Sequence, residues 1–315
     1  MNYNFLQSIK DIINNIKLMT NVNNSKDISH ISDRIEPVIS ASASILSEDY
    51  NNYYSNIDNE IEFSIDIIFD LPVLGIDIKK ILTVNHEEEI RYLVESTDKI
   101  KQIDISDNNS YSLLKMLVLL ANRAGPISES RFFNSYQLAK DITSHINATI
   151  ICPDYNFIID KAICLDRLCM SLDSCISLHL IMNKKLDNGM LLSIANIFGF
   201  IYSYKDALLL DNSEYYIILS RSNNYSLQDF VKIGDVISFT LDIPRSNSDK
   251  NLFYIFFSFI KEISEYIDAK IVDKNGIELS FDNINAIELQ VQKILNSLEN
   301  NGFKAGSYRA RRVFK

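Results

Sequence analysis

Sliding the chain along itself by 121 positions lays residues 131–151 over residues 252–272 without a gap, with six identities in 21 positions. Phe132 meets Phe253, Lys140 meets Lys261, Ile142 meets Ile263, Ile146 meets Ile267, Ala148 meets Ala269 and Ile150 meets Ile271. In each copy a helical spacing of apolar residues runs directly into a short apolar strand. The surrounding elements recur in the same order, so the chain reads as one supersecondary unit used twice. Ahead of the first copy, Ile61, Phe63, Ile65 and Ile67 alternate with Glu62, Ser64 and Asp66, the period of a half-buried strand. A helix over 76–84 follows, then strands over 90–95, 100–105 and 113–121, the helix of 131–146, a strand pair 148–152 and 157–159, and a helix over 161–172. The second unit repeats this with a strand over 176–180, a helix over 189–198, strands over 200–210, 215–220 and 236–243, the helix of 251–267, a strand pair 269–273 and 277–280, and a last helix over 283–298. The fold class is α+β: two tandem lobes, each an antiparallel sheet with helices packed on one face.

The 315-residue length allows about two domains. Eight glycines and five prolines fall far below the average usage of about 7% and about 5%. No two glycines sit at the spacing of G-x-G or of the two P-loop glycines, which excludes the dinucleotide-binding and P-loop sites, and no G-x-S-x-G nucleophile elbow is present. A net charge of -10 argues against nucleic acid as a partner of the body of the chain. Residues 304–315, with five basic side chains and no acid, form a basic tail that either contacts RNA, anionic lipid or an acidic partner or stays solvated. Cys152, Cys164, Cys169 and Cys175 match no zinc or redox spacing and read as reduced, mostly buried thiols.

Along the chain this predicts an amphipathic helix over 1–20, a polar linker over 21–60, a first lobe over 61–172, a second over 173–300 and the tail over 301–315. The leading helix is too polar to span a bilayer. Candidate chemistry is sparse. His86-Glu87-Glu88-Glu89 begins like a zinc-binding helix, but Ile90 stands where the second histidine belongs. His30, His145 and His179 are scattered. Glu62, Asp66 and Asp70 share a strand, yet they read as a solvated polar face rather than an acid–base pair. No catalytic residue, metal or cofactor is predicted.

Asn188-Gly189-Met190-Leu191-Leu192, then Phe198-Gly199-Phe200-Ile201-Tyr202, then Ile237-Ser238-Phe239-Thr240-Leu241-Asp242-Ile243-Pro244, followed by the long helix and Ala269-Lys270-Ile271-Val272-Asp273, stand in the order of a known domain. From residue 175 to 298 the second lobe resembles the C-terminal domain of the ZipA family of bacterial cell-division proteins. The resemblance implies a non-enzymatic adaptor that binds the C-terminal peptide of FtsZ on an open sheet face, helping to tether the division ring at the cytoplasmic side of the membrane. The first lobe is then a divergent companion.

With Ile176, Leu178, Leu180, Ile237, Phe239, Leu241 and Ile243 turned to the helices, alternation leaves the other face to Cys175, Ser177, His179, Ser238 and Thr240. Tyr216, Ile218, Ser220, Ile201, Ser203 and Lys205 complete the predicted FtsZ-peptide site. These side chains are mostly polar, so the groove buries little apolar area. The alternative reading is a duplicated structural or oligomerisation module that has lost the groove. The 113–121 strand, apolar on both faces, is the candidate lobe-to-lobe or partner interface.

Overall fold

The computed structural model describes residues 57–84, 90–144, 146–183, 188–202, 208–212, 215–221, 236–248 and 251–315. The expected leading helix, nearly all of the linker and the 86–89 run lie outside them. The order of elements is β1 (Glu62–Leu74), α1 (Gly75–Val84), β2 (Ile90–Ser96), β3 (Lys101–Gln102), β4 (Ser110–Leu119), β5 (Ala121–Asn122), β6 (Gly125–Pro126), α2 (Glu129–Thr143), β7 (Ala148–Ile151) and α3 (Tyr155–Leu172). It continues with β8 (Cys175–Met182), α4 (Asn188–Ile197), β9 (Ile201–Tyr202), β10 (Leu208–Asp211), β11 (Tyr216–Arg221), β12 (Val236–Asp242), α5 (Leu252–Ile267), β13 (Ala269–Val272), α6 (Phe281–Asn300) and α7 (Tyr308–Val313).

Two antiparallel sheets result, in spatial order β3-β2-β4-β1-β7 and β13-β8-β12-β11-β10-β9, with β5-β6 as a separate hairpin. The strands β7 and β13 are 121 positions apart at both ends, as the internal repeat requires. In each sheet the short strand after the second helix lies beside the first strand, which lies beside the strand that precedes that helix. The lobes differ in between: β9, β10, β11 and β12 run as a meander, whereas β2 rather than β3 sits next to β4.

Alternation in β1 buries Ile61, Phe63, Ile65, Ile67 and Phe69 on the helix side. Phe63 stacks on Phe132 of α2 with ring centroids 5.6 Å apart. Phe200 links Phe239 of β12 to Phe259 of α5 in the second lobe, at 6.0 and 6.1 Å. Ladder pairing of β1 with β4 shifts register between Ile68 and Val73, the stretch that holds Pro72, which has no N–H to donate. One apolar cluster extends through both lobes, with Leu165 of α3 and Leu295 of α6 among its members. In the 113–121 strand Leu114, Met116 and Val118 are buried on the side of Phe63, while on the other side Leu117 is buried and Leu113, Leu119 and the Asp66-paired Lys115 are half-buried.

Three expected elements differ. Residues 157–159 are the first turn of α3, because the Asp154 carboxylate accepts from the N–H groups of Asn156 (2.9 Å) and Phe157 (3.2 Å) and starts a helix there. Only Lys101 and Gln102 of the 100–105 run pair as a strand. Around the Lys274-Asn275-Gly276 turn the expected strand pair is reduced to a single bridge, Val272 to Glu278.

Most of the basic tail is folded onto the body of the molecule rather than solvated. Ser307 caps α7 by accepting from the Ala310 N–H at 3.2 Å, and Phe303, Ala305, Ala310, Val313 and Phe314 are buried. Arg309 donates to Asp58 (2.6 Å) and Glu60 (2.7 Å), Arg311 to Asp211 (2.8 Å), and Arg312 to Glu62. The segment thus joins β1 of the first lobe to β10 of the second. Its three arginines are paired inside the molecule, while Lys304 and Lys315 are exposed.

Candidate functional site

Directly opposed residues in a ladder share a face. Across β8, β12 and β11 the rungs are Cys175 with Asp242, Ser177 with Thr240 and Ile218, and His179 with Ser238 and Ser220. This is the face away from α5, so the alternation places Cys175, Ser177, His179, Ser238, Thr240, Ile218 and Ser220 together on it. Polar rungs close on themselves: the Ser177 and Thr240 hydroxyls are 2.8 Å apart, and His179 Nδ1 lies 2.7 Å from Ser238 Oγ.

Openness is not uniform along the face. Cys175, Ser177 and Ser220 are exposed and Thr240 and Ile218 are half-buried, while Ile201 on β9 is 65% exposed. His179, Ser238 and Tyr216, expected on the open groove, are buried. The reason for the first two lies at one end of the sheet, where Val236, Val272 and Ile181 form a small separate apolar cluster on the same face beside His179. Tyr216 is covered by Arg245, whose guanidinium lies 3.6 Å from its ring centroid. Between the two covered ends remains a strip of Ser177, Thr240, Ile218 and Ser220. Ser203 and Lys205 lie outside the described residues.

Burial depresses the His179 pKa below its ordinary value, which favours the neutral ring. Burial, seconded by the nearby Asp242, pushes the Cys175 thiol up to about 11, and burial pushes Cys169 up to about 12. Neither sulfur is a ready nucleophile at neutral pH. Cys164 and Cys175 are exposed, Cys152 is half-buried and Cys169 is buried, a correction to the mostly buried thiols expected.

Residues that the sequence pattern did not single out crowd one end of the strip. Arg123, at the tip of the β5–β6 hairpin, donates to both Asp173 oxygens (2.6 and 2.9 Å) and to Asp242 (3.0 Å), tying the first lobe to the second. Burial works against its charge, but the bonds from Asp242 and Asp173 outweigh it and raise its pKa. The turn after β12 is held firmly: Ser246 donates to the Asp242 carbonyl (2.7 Å), its oxygen accepts from the Tyr216 N–H (2.9 Å), and the Gly306 N–H donates to the Pro244 carbonyl (2.9 Å). A legible cue was Pro244, which ends the strand and makes Arg245 a turn residue at the sheet's end.

Of the suspected carboxylates of β1, Asp70 is exposed as expected, whereas Glu62 and Asp66 are not free in solvent. Glu62 is buried and accepts from Arg91 and Arg312, both of which also lie over the Tyr308 ring, and Asp66 accepts from Lys115. Each is neutralised by a cation, an arrangement that holds structure rather than one that separates an acid from a base. Among the described residues no three His, Cys, Asp or Glu side chains group so as to hold a metal ion, and no helix is long and apolar enough to cross a membrane. No known protein family, curated protein or solved structure matches the chain.

Proposed function

We propose that this chain is a non-enzymatic adaptor of ZipA type that captures the C-terminal peptide of FtsZ on the outer face of the second sheet and so acts in cell division at the membrane. The observation that carries the reading is the strip of Ser177, Thr240, Ile218 and Ser220, accessible on the face away from α5 in the lobe that bears the ZipA-like pattern. An extended or helical peptide crossing the strands covers Ile218 first. Fluorescence anisotropy of a labelled FtsZ C-terminal peptide tests it. Ile218→Ala removes three carbons at about 0.8 kcal/mol each; because Ile218 is already half-buried, about half of that, or roughly tenfold in Kd, is expected to be lost. Phe157→Ala, on an exposed position of the first lobe, is expected to change nothing. Absence of saturable binding at millimolar peptide, or binding indifferent to Ile218→Ala, sinks the proposal.

A second reading, a duplicated structural or oligomerisation module, is favoured by the internally satisfied Ser177–Thr240 and His179–Ser238 rungs, which leave few donors for a ligand. It requires a stable lobe-to-lobe or homodimer interface that covers the open faces. Sedimentation equilibrium showing a monomer excludes its oligomeric form, and saturable peptide binding on the strip excludes it altogether.

A further inference from the structure

Five arginines of the described structure, Arg91, Arg123, Arg309, Arg311 and Arg312, pair with carboxylates. Arg245 does not. Its guanidinium lies flat on Tyr216, its Nε is buried without a hydrogen-bond partner, and no acceptor among the described residues meets its other nitrogens. The side chain is nonetheless fixed in place. Its own N–H donates to Asp242 Oδ1 (3.4 Å), and Pro244 and Ser246 on either side are bonded to Gly306, Asp242 and Tyr216. Gly306 packs so closely that a Cβ there would stand 2.8 Å from the Ser246 carbonyl oxygen. Tyr216 and Ile218 are two residues apart on β11 and share a face, so the cation stands at one end of the accessible strip. A planar fork of donors, stacked on an aromatic ring and lacking an anion, matches a carboxylate in geometry and charge.

We infer that Arg245, laid on Tyr216, is a carboxylate anchor at the end of the outer-face strip, and that the ligand of this face is a peptide presenting a carboxylate there. The choice of a peptide rests on the function proposed above; the carboxylate site does not. A stacked guanidinium has already lost its rotamer freedom, so a charge-assisted pair formed here gives up little entropy. Ile218 supplies the apolar contact and Arg245 sets the direction in which the peptide lies. The carboxylate is either the peptide's own α-carboxylate or an acidic side chain.

Two titrations of the full chain separate these statements. Glutarate is added while the Arg245 Nε–Hε resonance is followed by NMR. A saturable shift over the millimolar range, matched by no response to glutaramide, is the expected result; no saturable shift overturns the anchor whatever the peptide does. The FtsZ C-terminal peptide, as free acid and as C-terminal amide, is then titrated against the wild type, Arg245→Gln and Arg245→Lys. Loss of a charge-assisted pair is expected to weaken the free acid about ten- to a hundredfold in Arg245→Gln, with Arg245→Lys between. An equal loss on amidation assigns the α-carboxylate, and retention of affinity by the amide assigns a side chain. Peptide binding unchanged in Arg245→Gln refutes the anchor. A glutarate response without peptide binding keeps the anchor and refutes FtsZ as the ligand.

Discussion

Replacing Glu62 by Gln tests how the folded tail is held. Glu62 is fully buried and accepts from Arg91 and Arg312, whose side chains are 12% and 13% exposed. The glutamine keeps the shape and one acceptor but removes the charge that Arg91 and Arg312 share at Glu62, in a place that water scarcely reaches. Removing one partner of a buried ion pair typically costs about 3–5 kcal/mol. Both cations retain contact with the Tyr308 ring, worth roughly 0.5–2 kcal/mol, so the lower half of that range is expected. Urea unfolding followed by circular dichroism reads the loss: with a slope of about 3 kcal/mol per molar, the midpoint falls by roughly 1 M. Arg312→Ala is expected to cost less, because Arg91 still neutralises Glu62, and the double variant Glu62→Gln/Arg312→Ala less than the sum of the two. A loss under about 0.5 kcal/mol for Glu62→Gln, the size of an ordinary surface change, or additive losses, would refute the shared buried hub.

Three further outcomes follow from the geometry. Gly306 and Gly302 both hold positive φ, at 73° and 78°, but an added Cβ meets backbone at Gly306 and only the flexible end of Arg309 at Gly302. Thermal melts should therefore rank Gly306→Ala clearly below Gly302→Ala, which loses about 1–2 kcal/mol for the backbone alone. Because burial depresses the His179 pKa, the unfolded chain takes up the proton first: the stability from keeping this ring neutral is full above the ordinary value of 6.5 and is lost as pH falls through it toward the folded value. Melting temperatures between about pH 5 and pH 8 should show this slope in the wild type and a shallower one in His179→Gln. Cys175 is exposed but its thiol is raised to about 11, so iodoacetamide at mild alkaline pH should alkylate Cys164 first; faster modification of Cys175 would contradict its environment.

Period-two alternation in 61–67 and 176–180, and the 121-residue repeat through Phe132 and Phe253, placed the strands and the helix-to-strand junctions correctly. They work because each depends on local spacing. The run 157–159 misleads as a strand because three residues cannot separate a period of two from the start of a helix; Asp154 was the cue that decides it. Faces of the second sheet were readable for the same local reason, and Ser177, Thr240, Ile218 and Ser220 fall where alternation put them. What covers a face is tertiary: Tyr216 is hidden by Arg245, from the turn beyond the next strand, and His179 lies beside Val272 of another strand. Glu62 looked solvated and the tail looked free for one shared reason, since Arg312 and Glu62 are 250 positions apart and meet only in the folded chain.

The central claim, that a peptide docks on the outer strip of the second sheet, is tested most directly by a methyl-labelled NMR titration of the full chain with the FtsZ C-terminal peptide. Saturable shifts are expected at the methyl groups of Ile218 and Thr240, with Ile78 in the first lobe's core unmoved. Saturable shifts confined to the first lobe, or none at all, would contradict it.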